Sequence, residues 1–188
     1  MKVRICFFLL GFAALMMAVP RYSAAQVNPE KINNSLIRES VTAVLGTEKD
    51  LTWHTVVVQD STKNTVQNRL KAKSTVPDTL YLGIVKTEKA VQYVLPDIAP
   101  SRSEKFSYLL YFDASKKIIG VDVLEYRESY GYEIDYSFFR NQFKDKSRAE
   151  NVRFGRTIQN ISGATISARS LTNSVHDLLL IINEVQLP

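Results

Sequence analysis

An apolar run from Ile5 to Val19 opens the chain, set between Lys2 and Arg4 on one side and Pro20-Arg21 on the other. After it the apolar positions change rhythm. Ile32, Leu36, Ile37, Val41, Val44 and Leu45 recur at helical spacing, with Pro29 before them and Gly46 behind, which predicts a first helix. Residues 47–78 are polar; a short strand at Thr55–Val58 is expected there, and from Ser61 onward a surface loop or helix edge. From Leu80 the pattern turns to β, over Tyr81–Val85 and then Val91–Leu95, with Pro96 and Pro100 bracketing a predicted loop. Phe106–Phe112, the polar turn Asp113–Lys117 and Ile118–Tyr126 read as a hairpin. A polar turn with a glycine follows, Glu128–Glu133, and then a short helix over Ile134–Phe143. Leu171, Val175, Leu178, Leu179 and Ile182 define an amphipathic helix from about Ser167 to Val185. No internal repeat appears. The pattern predicts one α+β domain, an antiparallel sheet flanked by an N-terminal and a C-terminal helix.

The opening run is fifteen residues long, short of the roughly 20 that a membrane span needs. Ser23-Ala24-Ala25 then supplies the small residues that a signal peptidase reads. The expectation is a secretory signal peptide over residues 1–25, cleaved near Ala25/Gln26, and a periplasmic or otherwise extracytoplasmic product. The rival reading is an N-terminal membrane anchor. Cys6, the only cysteine, sits at the start of the run, which speaks against a lipoprotein, and leaves with the signal. The mature chain then has neither thiol nor disulfide, and cannot hold a c-type haem or an iron–sulfur cluster.

Composition changes this picture little. With 188 residues, 45% of them hydrophobic, the chain has the make-up of an ordinary folded domain. Three of the 24 basic residues lie in the leader, leaving 21 against 19 acidic ones, so no nucleic-acid partner is expected. His54 and His176 are unpaired in the sequence, and no metal site is predicted. There is no nucleophile elbow and no Walker-type loop. A triad of Ser162, His176 and Asp177 would rest on composition alone, so no catalytic residue is assigned. Eleven of the nineteen aromatic residues fall between Phe106 and Phe143. They read as strand core or as the lining of a planar ligand.

Ser162-Gly163-Ala164-Thr165 stands at the mouth of the last helix. A small-residue turn lets backbone approach a ligand closely, and a helix N-terminus favours negative charge. Thr165 and Ser167 are also ordinary N-cap residues. The residues alone are therefore compatible with a capped helix start or with an anion site.

Ser162–Thr165 before a terminal helix resembles the flavinylation motif of the FMN-binding domain family. That family includes the C subunit of the sodium-pumping NADH:quinone oxidoreductase, the G subunit of the Rnf complex and many soluble exported flavoproteins; this chain looks closest to the exported ones. Glu128-Ser129-Tyr130-Gly131 resembles the family's Glu-Thr-x-Gly loop, and Tyr126-Arg127 and Gln142-Phe143 are similar to soluble members. The resemblance runs from roughly Leu80 to Leu180. It implies residues 26–79 as an N-terminal helix and polar segment and 80–188 as the FMN-binding domain. It implies FMN attached through a phosphoester to Thr165 by a flavin transferase. Ser162, Gly163 and Ala164 would shape the turn that the transferase recognises, Ile166 and Ser167 would bind the cofactor beside it, Glu128, Ser129, Gly131 and Tyr132 would hold the ring, and Arg169 or Arg156 would offset the phosphate. The function implied is electron transfer between an unidentified donor and acceptor, with a membrane-bound redox partner as one option, rather than stand-alone catalysis. A noncovalent FMN binder, or a non-redox interaction module of the same fold, are the other readings. The sequence departs from the family pattern in three places: Gln159 stands where an aspartate is usual, Ser129 replaces threonine, and Tyr130 stands where some relatives have proline.

Overall fold

β1 (Thr52–Val57), β2 (Thr79–Lys86), β3 (Val91–Pro100), β4 (Lys105–Asp113) and β5 (Ile118–Glu125) form one antiparallel meander in chain order. The structure is a computed structural model and describes residues 27–70, 75–88 and 90–188; the predicted leader and its cleavage point lie outside them. Central β4 shows how the layers are built. Phe106, Tyr108, Leu110 and Phe112 enter a core shared with α4 (Thr165–Glu184). Leu109 and Tyr111 point the other way, into a second core with Ile37 and Val41 of α1 (Asn34–Leu45). Covered on both faces, the strand is apolar at nearly every position instead of alternating. Each of these side chains contributes roughly 1.5–3 kcal/mol by its burial. The fold class is as the pattern predicts, with the helices from the two ends of the chain on opposite faces.

Local signals explain most boundaries. Asn33 caps α1, its side chain accepting from Ser35 N at 3.0 Å, and Gly46 closes it in the left-handed region. Pro29–Lys31 forms a separate 3-10 turn ahead of that cap. The strand expected at 55–58 starts earlier, at Thr52, and pairs with β2 along its whole length; the sheet therefore crosses the expected 79/80 division. Where a loop or helix edge is read from Ser61, the chain forms α2 (Asp60–Gln67), which buries Val66.

Two expectations are corrected. Pro96 and Pro100 lie within β3, not in a loop. β2 pairs with β3 only as far as Val94, so from Leu95 onward that edge of β3 has no strand beside it among the described residues, and a residue without an N–H is tolerated there. The helix expected over 134–143 is three short pieces: a 3-10 turn at Tyr132–Asp135, α3 (Ser137–Arg140) and a further turn at Asn141–Phe143. Tyr136, extended at ψ 136°, breaks the run. Buried Ile134, Phe139 and Phe143 anchor the pieces separately.

Two polar ties fix the helices on the sheet. Buried Asp97 of β3 accepts from Tyr108 Oη of β4 at 2.6 Å and from Ser174 Oγ of α4 at 2.5 Å. On the other face Ser40 of α1 donates to Asp122 of β5 at 2.5 Å and lies 2.6 Å from the Tyr111 hydroxyl. Arg140 of α3 pairs with the same Asp122. Among the described residues no helix is long and apolar enough to cross a membrane.

Candidate functional site

α4 begins at Thr165, two residues before the predicted start, and no side chain caps it; the N-cap is Ala164. The N-cap roles open to Thr165 and Ser167 in the sequence are thus not taken up. Thr165 is exposed, and its Oγ1 accepts from the Asn160 side-chain amide at 3.1 Å. The first N–H groups of a helix have no partner within it, so an uncapped start beside an exposed hydroxyl suits a phosphate.

The turn before the helix is shaped by Gly163, at φ +88°, a region open to glycine at little cost. The Glu133 carboxylate lies against it, so a Cβ there would collide with Oε1 and lie 2.8 Å from Cδ. Oε2 of Glu133 is buried with no hydrogen-bond partner among the described residues. From the other side Gln142 Oε1 accepts from Gln159 N at 2.7 Å and holds the strand of chain that enters the turn.

The Glu128 loop comes to the same place from the end of β5. The Tyr126 hydroxyl donates to Tyr130 O at 2.9 Å and lies 2.9 Å from Ser167 Oγ. Gly131, at φ +88°, passes so close that a Cβ would meet that hydroxyl at 2.5 Å. Burial pushes the Tyr126 phenol up, and the Ser167 hydrogen bond opposes it. Glu128 turns toward the β3–β4 connection: its Oε1 accepts from Ser101 Oγ, from Ser103 N at 2.6 Å and from Glu104 N at 3.0 Å. These bonds, the Ser101 one foremost, hold its carboxyl below the usual range.

A cleft of about 320 Å³ lies between the two segments. Gly163, Ala164, Thr165, Ile166 and Ser167 line one side; Tyr126, Glu128, Tyr130 and Gly131 line the other, with Arg102 from the β3–β4 turn. Seven of the ten predicted site residues therefore meet. Ser162 and Ser129 are exposed beside the cleft, and Tyr132 points away to pack edge-on against Tyr136 at 6.0 Å. Neither arginine expected near the phosphate lines it: Arg169 stacks over Phe154 at 4.7 Å and Arg156 is exposed. Arg102 takes that place; the sequence holds no signal for it, because its position depends on the Glu128 bond across the molecule. The aromatics divide too. Those on the strands are core, while Tyr126 and Tyr130 line the cleft.

The donor set fits FMN. An uncapped helix start and Arg102 answer a phosphate, positive-φ glycines let backbone approach a flat ring, and Tyr130, 79% exposed, offers a face beside it. Residues 103–180 match the family model described as the FMN-binding domain. This segment belongs to that family, and FMN is the cofactor the match indicates. Among solved structures the chain is similar to the C subunit of the Na(+)-translocating NADH-quinone reductase from Parabacteroides distasonis, at 14% identity and a TM-score of 0.45, over 70% of this chain and 78% of that one. No curated protein matches the chain.

Proposed function

We propose that the protein is an exported electron carrier holding FMN by a phosphoester to Thr165. The observation that carries this reading is the cleft itself: the Ser162–Ser167 turn and the Glu128–Gly131 loop, distant in the chain, form its two walls, and Thr165 stands exposed at an uncapped helix start.

Bound FMN supplies one- and two-electron chemistry, and the protein supplies tether, orientation and electrostatics. Attachment would exchange the Thr165 Oγ–H bond for Oγ–P as the pyrophosphate P–O bond of FAD breaks, the proton leaving with AMP. Asn160 orients the accepting hydroxyl, and the N–H groups of α4 with Arg102 receive the phosphate charge. Tyr126 and Glu128 keep the opposite wall in place. A covalent tether suits a compartment where a lost cofactor is hard to replace, in keeping with the secretory leader read in residues 1–25. The donor and acceptor, one of them a membrane protein, would approach the open side near Tyr130.

Flavin fluorescence on a denaturing gel tests the reading. The protein made with an active flavin transferase should fluoresce as a band, and Thr165→Ala should not. Gln159→Asp, which restores the carboxylate usual in the family, should be labelled faster. A dark band beside a fluorescent control substrate would reject covalent attachment.

A further inference from the structure

A second cleft, of about 620 Å³, opens on the α1 side of the sheet beneath the β3–β4 turn. That volume lies within the range of small-molecule sites. Its floor is apolar, with Ile32 and Ile98, and its rim carries Lys31, Arg102, Lys105 and Arg127 against Glu104 and Glu125. Glu125 is already engaged, pairing with Arg127 at 2.9 Å, so the lining is net positive. Ser107 gives the second observation. It is only 7% exposed and lines this cleft, and its Oγ is buried without a hydrogen-bond partner among the described residues. A buried hydroxyl left unpaired costs about 1–3 kcal/mol, a cost that a ligand oxygen would remove.

We propose that this cleft binds a small organic anion, an oxyanion head on an apolar body. Lys31 and Lys105 receive the head, Ser107 donates to it, and Ile32 and Ile98 take the body. The site adjoins the FMN cleft: Arg102 lines both, and Glu128, a wall of the FMN cleft, holds the 101–104 turn between them. A ligand here is therefore placed beside the cofactor.

The test titrates 2-naphthoate into the full-length protein by calorimetry and by amide shift mapping, with 2-naphthylmethanol and inorganic phosphate as the two partial probes. 2-Naphthoate should shift the amides of Ser107 and Ile98 and bind about tenfold more tightly than either partial probe. Lys31→Gln and Lys105→Gln should each weaken it about threefold, and Ser107→Ala by about fivefold. Thr165→Ala, which carries no tether, should bind it unchanged, so failure of flavin attachment and failure of this site are separate results. Equal binding of the neutral alcohol, equal binding of phosphate, shifts centred on Gly131 and Gly163, or lysine variants that bind as well as the parent would each overturn the proposal.

Discussion

The Tyr126 hydroxyl lies 2.9 Å from Ser167 Oγ and joins the end of β5 to the first turn of α4. This contact, together with the Glu133 carboxylate against Gly163, makes the Glu128 loop and the Ser162–Ser167 turn walls of a single cleft. Tyr126→Phe keeps the ring against Phe106, 5.5 Å away, and removes only the hydroxyl. Loss of its hydrogen bonds should cost about 1 kcal/mol, read by urea unfolding. The bound flavin should also become more mobile, read as lower fluorescence anisotropy. Unchanged anisotropy would show that the tie does not order the site.

Gly163 should tolerate no side chain. Gly163→Ala places a Cβ on the Glu133 carboxylate and an L-residue at φ +88°. A cost of about 2–4 kcal/mol is expected from clash and backbone strain together. Adding Glu133→Ala should recover the steric part only. A double-mutant cycle measures that recovery, and strict additivity would contradict the contact.

Asn160→Ala tests the orientation of the accepting hydroxyl. Asn160 is exposed, so stability should stay within about 0.5 kcal/mol of the parent. The rate of flavin attachment should fall about tenfold, as a correctly positioned acceptor is lost. An unchanged labelling time course would remove Asn160 from the reaction.

Burial pushes the Asp97 carboxyl up to about 6, outweighing the hydrogen bonds from Ser174 and Tyr108. The folded-state value lies above the unfolded one, so this contribution to stability is complete below about pH 4 and is lost as pH rises through 6. Asp97→Asn should remove that dependence. The variant should gain on the parent between pH 4 and pH 8, by roughly 3 kcal/mol at most, in thermal or urea unfolding. A parent whose relative stability rises over this interval would show that Asp97 stays charged at no cost.

Much of this architecture was legible before the structure. The 106–125 hairpin announces itself by two apolar runs around a polar turn, and α1 by Asn33, Gly46 and its periodicity. The two halves of the site were legible only through the family resemblance, because small residues at a helix start are by themselves equally a plain helix start. Their meeting was not. It depends on Tyr126 and Ser167, two ordinary residues 41 positions apart. Arg102 was invisible for the same reason. Pro96 misled because proline usually ends a strand, whereas here β3 beyond Val94 has no neighbouring strand on that edge among the described residues. The 134–143 segment misled because no Gly or Pro marks the break at Tyr136.

Whether Thr165 carries the cofactor is decided by intact mass. The protein is produced with an active flavin transferase, beside Thr165→Ala and a control substrate. A mass gain equal to FMN less one water is expected, located by peptide mapping on the Ser162–Ser167 segment and absent from the variant. An unmodified mass beside a labelled control, or the same gain in Thr165→Ala, would contradict it.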